Sequence, residues 1–128
     1  MRLLVDGMNV IGSRPDRWWR NRKGAMRRLV AGLAAFATAT GVDVTVVLDS
    51  QPFDLGEGFE GLTVRFAPGG RNAADDEIVR IVERDAAPET FRVVTSDREL
   101  ADRVEALGAT VSRAGSFRIE LDPFEPGL

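Results

Sequence analysis

Short β-branched apolar runs that alternate with helical stretches predict an α/β fold, a three-layer α/β/α arrangement around a central, mostly parallel sheet. Two further observations point the same way. The run VDVTVVLD at 42–49 is apolar almost without interruption, as expected of a strand covered on both faces. Apolar runs also end on or just before carboxylates, at Asp6, Asp49 and Asp97. In open parallel sheets, functional side chains collect at the carboxyl ends of the strands, near the point where strand order reverses. The 128 residues suffice for one domain with a sizeable core, placed at residues 1–122, with 123–128 as a loose C-terminal tail.

The elements follow in order. RLLVD predicts a strand over 2–6, and Gly7 and Gly12 bracket a loop that continues around Pro15. A helix runs from about Asn21 to Thr40, where Leu29, Leu33 and Phe36, with Val30 and Ala37 beside them, make one apolar stripe and Gly41 stops it. The second strand is 42–49, residues 50–61 are a turn-rich loop, and LTVRF (62–66) is the third strand. Asn72, at the end of the loop PGGRN, can cap a helix from about Ala73 to Ala87. FRVVTS (91–96) is the fourth strand, DRELADRVEALG a short helix ended by Gly108, ATVS (109–112) the fifth strand, and FRIEL (117–121) a last edge strand.

Composition narrows the chemistry. The chain holds no Cys, His or Tyr. That removes disulfides, thiolate nucleophiles, Ser-His catalysis and imidazole ligands. What remains is carboxylate, carboxamide, hydroxyl and Arg chemistry, or a metal that carboxylates can hold. The opening apolar run is too short for a signal peptide or a spanning helix, so the cytoplasm is the expected compartment, with no membrane partner.

Three segments carry the acids: VDGMN (5–9), NAADDEI (72–78) and TSDREL (95–100). Each has a structural explanation taken singly. Ser96 and Glu99 form an S-x-x-E capping box, Asp97 favours the helix dipole, and Asp6-Gly7 suits a turn. Jointly these explanations leave out why several strand ends aim carboxylates at one edge. Gathered carboxylates repel one another and lose hydration, which proteins tolerate mainly around a cation. Oxygen ligands without nitrogen or sulfur favour Mg²⁺ or Mn²⁺. Asp75 shares the inward helix face of Ile78, Val79 and Val82, whereas Asp76 is turned about 100° away. Asp75 is therefore the better ligand, and Asp76 a cap or supporting residue. Asn9 can orient a ligand carboxylate or a phosphate without adding charge, or simply close an Asx turn.

At these residues the chain resembles a known family. VDGMNVIG, VVLDS, the A-D-x-x-I of Ala74 to Ile78, and TSD before a helix are similar to the NYN domain family of PIN-like nuclease fold, in its YacP-like ribonuclease branch. The resemblance covers about residues 2–122. It implies a metal-dependent endoribonuclease in which Asp6, Asp75 and Asp97 are the acidic positions and Asn9 belongs to the opening motif. Asp49 matches an acid at the end of the second strand. Asp76 and Met8 depart from the family's usual residues.

Charge is unevenly spread. Net charge is −3, yet residues 1–40 hold eight basic and two acidic residues, and residues 41–128 nine basic and eighteen acidic. The segment 14–28 carries Arg14, Arg17, Arg20, Arg22, Lys23, Arg27 and Arg28 around Trp18 and Trp19, against Asp16 alone. Arg beside aromatics suits single-stranded RNA, with guanidinium on phosphate and indole on base. One Trp is expected in the core. Arg71, beside Gly69-Gly70, could add a phosphate contact. The expected partner is thus single-stranded RNA, mRNA among the candidates, with oligomeric state open and a homodimer one option. A phosphoacceptor domain is excluded because the lone Lys is Lys23, and a two-aspartate phosphatase because Gly7-Met8 follows Asp6. The competing reading is a non-catalytic PIN-like RNA-binding or scaffold module.

Overall fold

A computed structural model describes residues 1–70 and 72–126. Five strands, β1 (Arg2–Asp6), β2 (Asp43–Leu48), β3 (Leu62–Phe66), β4 (Phe91–Val94) and β5 (Thr110–Ser112), form one parallel sheet in the order β3-β2-β1-β4-β5. The order reverses between β1 and β4. Five helices accompany it: α1 (Gly7–Gly12), α2 (Arg22–Thr40), α3 (Ala73–Arg84), α4 (Arg98–Ala106) and α5 (Ala114–Leu121).

Successive strand side chains alternate between the sheet's two faces, and so divide the core. Leu3, Val5, Val44, Val46 and Val94 pack with α1, α2 and α5 through Val10, Leu29, Leu33 and Phe117. Leu4, Val47 and Val93 face α3 and α4 through Ile78, Val82, Leu100 and Val104. The layers are those the sequence predicts.

Several elements differ from the expectations. Residues 7–12 are helix rather than loop, because β1 runs directly into α1 laid against β2. A Cβ at position 7 would stand 2.7 Å from Leu48 Cδ2 and 2.9 Å from the Val47 carbonyl oxygen, so only Gly permits the approach. FRIEL is not an edge strand but the body of α5, which buries Ala114, Phe117 and Leu121 and leaves Ile119 outside. α3 ends at Arg84, three residues early, and Asn72 precedes it without a side-chain capping bond. Residues 122–126 are docked rather than loose: Asp122–Phe124 form a 3₁₀ turn, and Phe124 meets Phe36 edge-to-face. Glu125 pairs with Arg14 and Arg28. Gly41 closes α2 at φ 71°, as the sequence indicates. Among the described residues no helix is long and apolar enough to cross a membrane.

Candidate active site

The reversal of strand order makes the site. Val5 and Val94 are partners in the β1–β4 register, so the next residues, Asp6 and Thr95, emerge side by side at the carboxyl edge. Asp6 is 3% exposed and Thr95 1%. The Thr95 hydroxyl donates to Asp6 Oδ2 at 3.0 Å, and Thr95 Oγ1 accepts the Asp97 N–H at 3.1 Å. From α1, Asn9 Nδ2 also donates to Asp6 Oδ2 at 3.0 Å, while Asn9 Oδ1 accepts the Ser96 N–H at 3.0 Å. Asn9 is thus a cross-strand clamp between the ends of β1 and β4, and not the closure of an Asx turn. Ser96 Oγ accepts the Ala114 N–H at 3.0 Å, which ties the start of α5 to the same edge.

Electrostatics brings in the other acids. Burial pushes the Asp6 carboxyl up to about 6, the nearby charges of Asp75 and Asp97 push the same way, and its hydrogen bonds offset this only in part. Asp75, half-buried in the first turn of α3, is also raised, first by desolvation and then by Asp97, with Arg103 pulling the other way. Asp6 forms no ion pair among the described residues. Nor do any three acidic side chains among them form a ready cage for a metal ion. An open groove of about 420 Å³ runs from Thr95, Ser96 and Asp97 to Arg98 and Arg113. A second, of about 570 Å³, lies along the start of α3 from Gly69 to Asp76 and Arg80. Neither is lined by all three acids.

The remaining acids divide. Asp76 is exposed and pairs with Arg103 at 3.2 Å. Asp49, past the end of β2, has no hydrogen bond or ion pair to this group among the described residues. The capping box is corrected: Asp97 itself is the N-cap of α4 and accepts the Leu100 N–H at 3.0 Å, so Ser96 is released for its bond to Ala114. Glu99 is exposed, and its charge adds to the raising of Asp75. Sequence reasoning missed Thr95 as a site residue. The T of TSD was in view, but only the β1–β4 register sets it against Asp6.

The basic segment also divides. Arg14 turns inward to Asp122 and Glu125, so the RNA contact expected of it is taken by the tail. Arg27 Nε donates to the Asp54 carbonyl, and its guanidinium lies 5.4 Å from the Phe53 ring centre. Trp18 is half-buried against the core, with Arg22 5.7 Å from its ring centre, and Lys23 lies over Phe53 at 5.5 Å. Arg17, Trp19 and Arg20 are exposed. Arg71 lies outside the described residues.

Comparison with known proteins bears on this geometry. The sequence pattern of the YacP-like NYN domain matches residues 3–126. Among solved structures, a tryptophan-to-leucine mutant of Rae1 (YacP) from Bacillus subtilis superposes with a TM-score of 0.78 at 26% identity, covering 97% of this chain and 77% of that one. Rae1 (YacP) from Bacillus subtilis without the mutation gives 0.77 at 25% identity, covering 97% and 75%. No curated protein matches the sequence.

Proposed function

The chain belongs to the YacP-like NYN domain family, and from that premise we propose that it is a metal-dependent endoribonuclease cleaving single-stranded RNA. The observation that carries the reading is Asp6: a buried carboxylate at the strand-order reversal, with two acids for electrostatic neighbours and no cation paired to it among the described residues. Such a group is held at a cost that a bound cation would remove.

The donor set fits Mg²⁺ or Mn²⁺. It offers carboxylate oxygens only, and both side-chain hydrogen bonds to Asp6 fall on Oδ2, which leaves Oδ1 for a ligand. Among the described residues no three-carboxylate cage is preformed, so such an ion would keep several waters and take one or two carboxylates directly. Asp6, Asp75 and Asp97 would hold the ion, in part through its waters. Once bound, it would polarise a phosphoryl oxygen and lower the pKa of a water to make a nucleophile. The chain's own part is positioning. Asn9 and Thr95 fix the Asp6 carboxylate, and Thr95 ties it to the backbone of Asp97. With no His, Cys or Tyr in the chain, carboxylates and ordered water are left to handle protons.

The test is incubation of purified protein with labelled single-stranded RNA in Mn²⁺, Mg²⁺ or EDTA. Cleavage should need the divalent ion, and Asp97→Asn should abolish it while RNA still binds; Asn retains the capping oxygen, so the fold should survive. An Asp97→Asn protein that cuts at the wild-type rate overturns the mechanism. Metal-independent binding without cutting by the wild type would instead favour the non-catalytic module.

A further inference from the structure

We propose that Trp19 is a stacking seat for one base of single-stranded RNA, with Arg17 and Arg20 on the flanking phosphates. The proposal rests on the ribonuclease reading above for the class of ligand. Trp19 is 60% exposed, one of three large hydrophobic residues so placed among those described, with Met1 and Ile119. An indole left in water is costly, and this one is held in place. It sits in the 3₁₀ turn Trp18–Arg20, edge-to-face with Trp18 at 6.0 Å and 84°, and Trp18 is seated on the core.

The turn is locked from both sides. Arg20 N–H bonds the Arg17 carbonyl at 3.0 Å and Asn21 N–H the Trp18 carbonyl at 3.1 Å. Asn21 then caps α2 by accepting the Gly24 N–H. Arg17 has φ 57°, the one non-glycine residue among those described in the left-handed region. A non-glycine residue there is strained, and the surrounding turn must hold it in place.

Charge complementarity selects the occupant. Arg14 and Arg28 are neutralised by Asp16, Asp122 and Glu125. Arg17 and Arg20 have no ion-pair partner among the described residues, and they flank Trp19 in sequence. Beside the turn, an open groove of about 520 Å³ lined by Asp16, Arg17, Trp18, Arg20 and Arg28, though not by Trp19 itself, runs along the start of α2. An exposed aromatic with an unpaired cation on either side of it along the chain matches the alternation of base and phosphate along a single strand.

Two Trp and no Tyr make the protein its own reporter. The experiment titrates wild type, Trp19→Ala and Trp19→Phe in EDTA with an end-labelled oligouridylate, reading anisotropy for affinity and wild-type Trp emission for stacking. Inorganic polyphosphate is the control for charge alone. Wild-type emission should be quenched by the RNA and not by polyphosphate. Trp19→Ala should bind the RNA about tenfold more weakly, with Trp19→Phe between the two. Equal RNA affinity in Trp19→Ala, equal quenching by polyphosphate, or no RNA binding by the wild type overturns the seat. Cleavage of the same RNA is measured separately in Mn²⁺. A wild type that binds and is quenched but never cuts keeps the seat and overturns the nuclease reading.

Discussion

A carboxylate stands at each end of the sheet, Asp6 where β1 runs into α1 and Asp85 just past α3, and the two are treated in opposite ways. At the amino end, Asp85 receives both Arg2 guanidinium nitrogens at 2.7 Å and the Ala87 N–H at 2.9 Å, and these hydrogen bonds pull its carboxyl down to about 2. At the carboxyl end, Asp6 is buried among acids and rises to about 6. One charge is matched, and it fastens β1 to the connection between α3 and β4. The other is left unmatched at the strand-order reversal. Among the described residues no Arg pairs with Asp6, and a strongly shifted, unpaired carboxylate is the kind of group that clusters at functional sites.

The sharpest way to break this contrast is Asp6→Asn. It should lower RNA cleavage in Mn²⁺ by about 100-fold or more, because an amide is a poor ligand for a hard cation. In EDTA at pH 7 the same variant should be more stable than wild type by about 3 kcal/mol, the scale set by the shift from 3.8 to about 6. Chemical denaturation of both proteins measures this, and a destabilised variant would mean that the Asp6 charge is satisfied after all. Asn9→Asp should come next, with a roughly 10- to 100-fold loss of cleavage. It removes the donor to Asp6, adds a charge against it and keeps an acceptor for the Ser96 N–H. Wild-type turnover in this variant would reduce Asn9 to a fold element.

The pH dependence sharpens the comparison further. Asp6 has a raised folded pKa, so its contribution is fully present below about 3.8 and is lost as pH rises through about 6. Asp85 has a lowered one, so its contribution is present above about 3.8 and is lost as pH falls through about 2. In EDTA, raising pH from 4 to 7 should therefore cost wild type stability that Asp6→Asn keeps. Asp75 and Glu125 are raised as well and act with the same sign, so the difference between the two proteins isolates Asp6. Parallel Tm–pH curves would count against the unmatched charge. The smallest effect belongs to Asp85→Asn, which should lower Tm modestly above pH 4 and leave cleavage unchanged. Any loss of activity there would show that the two ends are not independent.

The sheet was legible because its strands are β-branched apolar runs with turn residues between them. Elements whose shape depends on a neighbour were not. In FRIEL, Phe117, Ile119 and Leu121 alternate as a strand would, yet Ile119 points to solvent and the burial follows Ala114, Phe117 and Leu121. α1 is six residues long, too short to show a period, and Gly7 reads as a turn until β2 is known to lie against it. The acids of the candidate site could be read from strand ends and helix faces. Their support could not, since the Thr95–Asp6 bond joins residues 89 apart. Likewise the loss of Arg14 to Asp122 and Glu125 is a fact about the docked tail, which no local pattern announces.

The placement of β1 between β2 and β4 also has a consequence in time. During synthesis Asp6 leaves the ribosome well before its partner strand β4, which begins at Phe91. A growing chain can pair β1 with β2, and β2 with β3, and still own none of the β4 edge: no Thr95 to hold the carboxylate and no Asp97 to face it. Pairing across so long a stretch closes late, after its loop entropy has been met. The candidate site is therefore incomplete in the nascent chain, and its acids are brought together only when the stretch from β4 onward folds down onto β1.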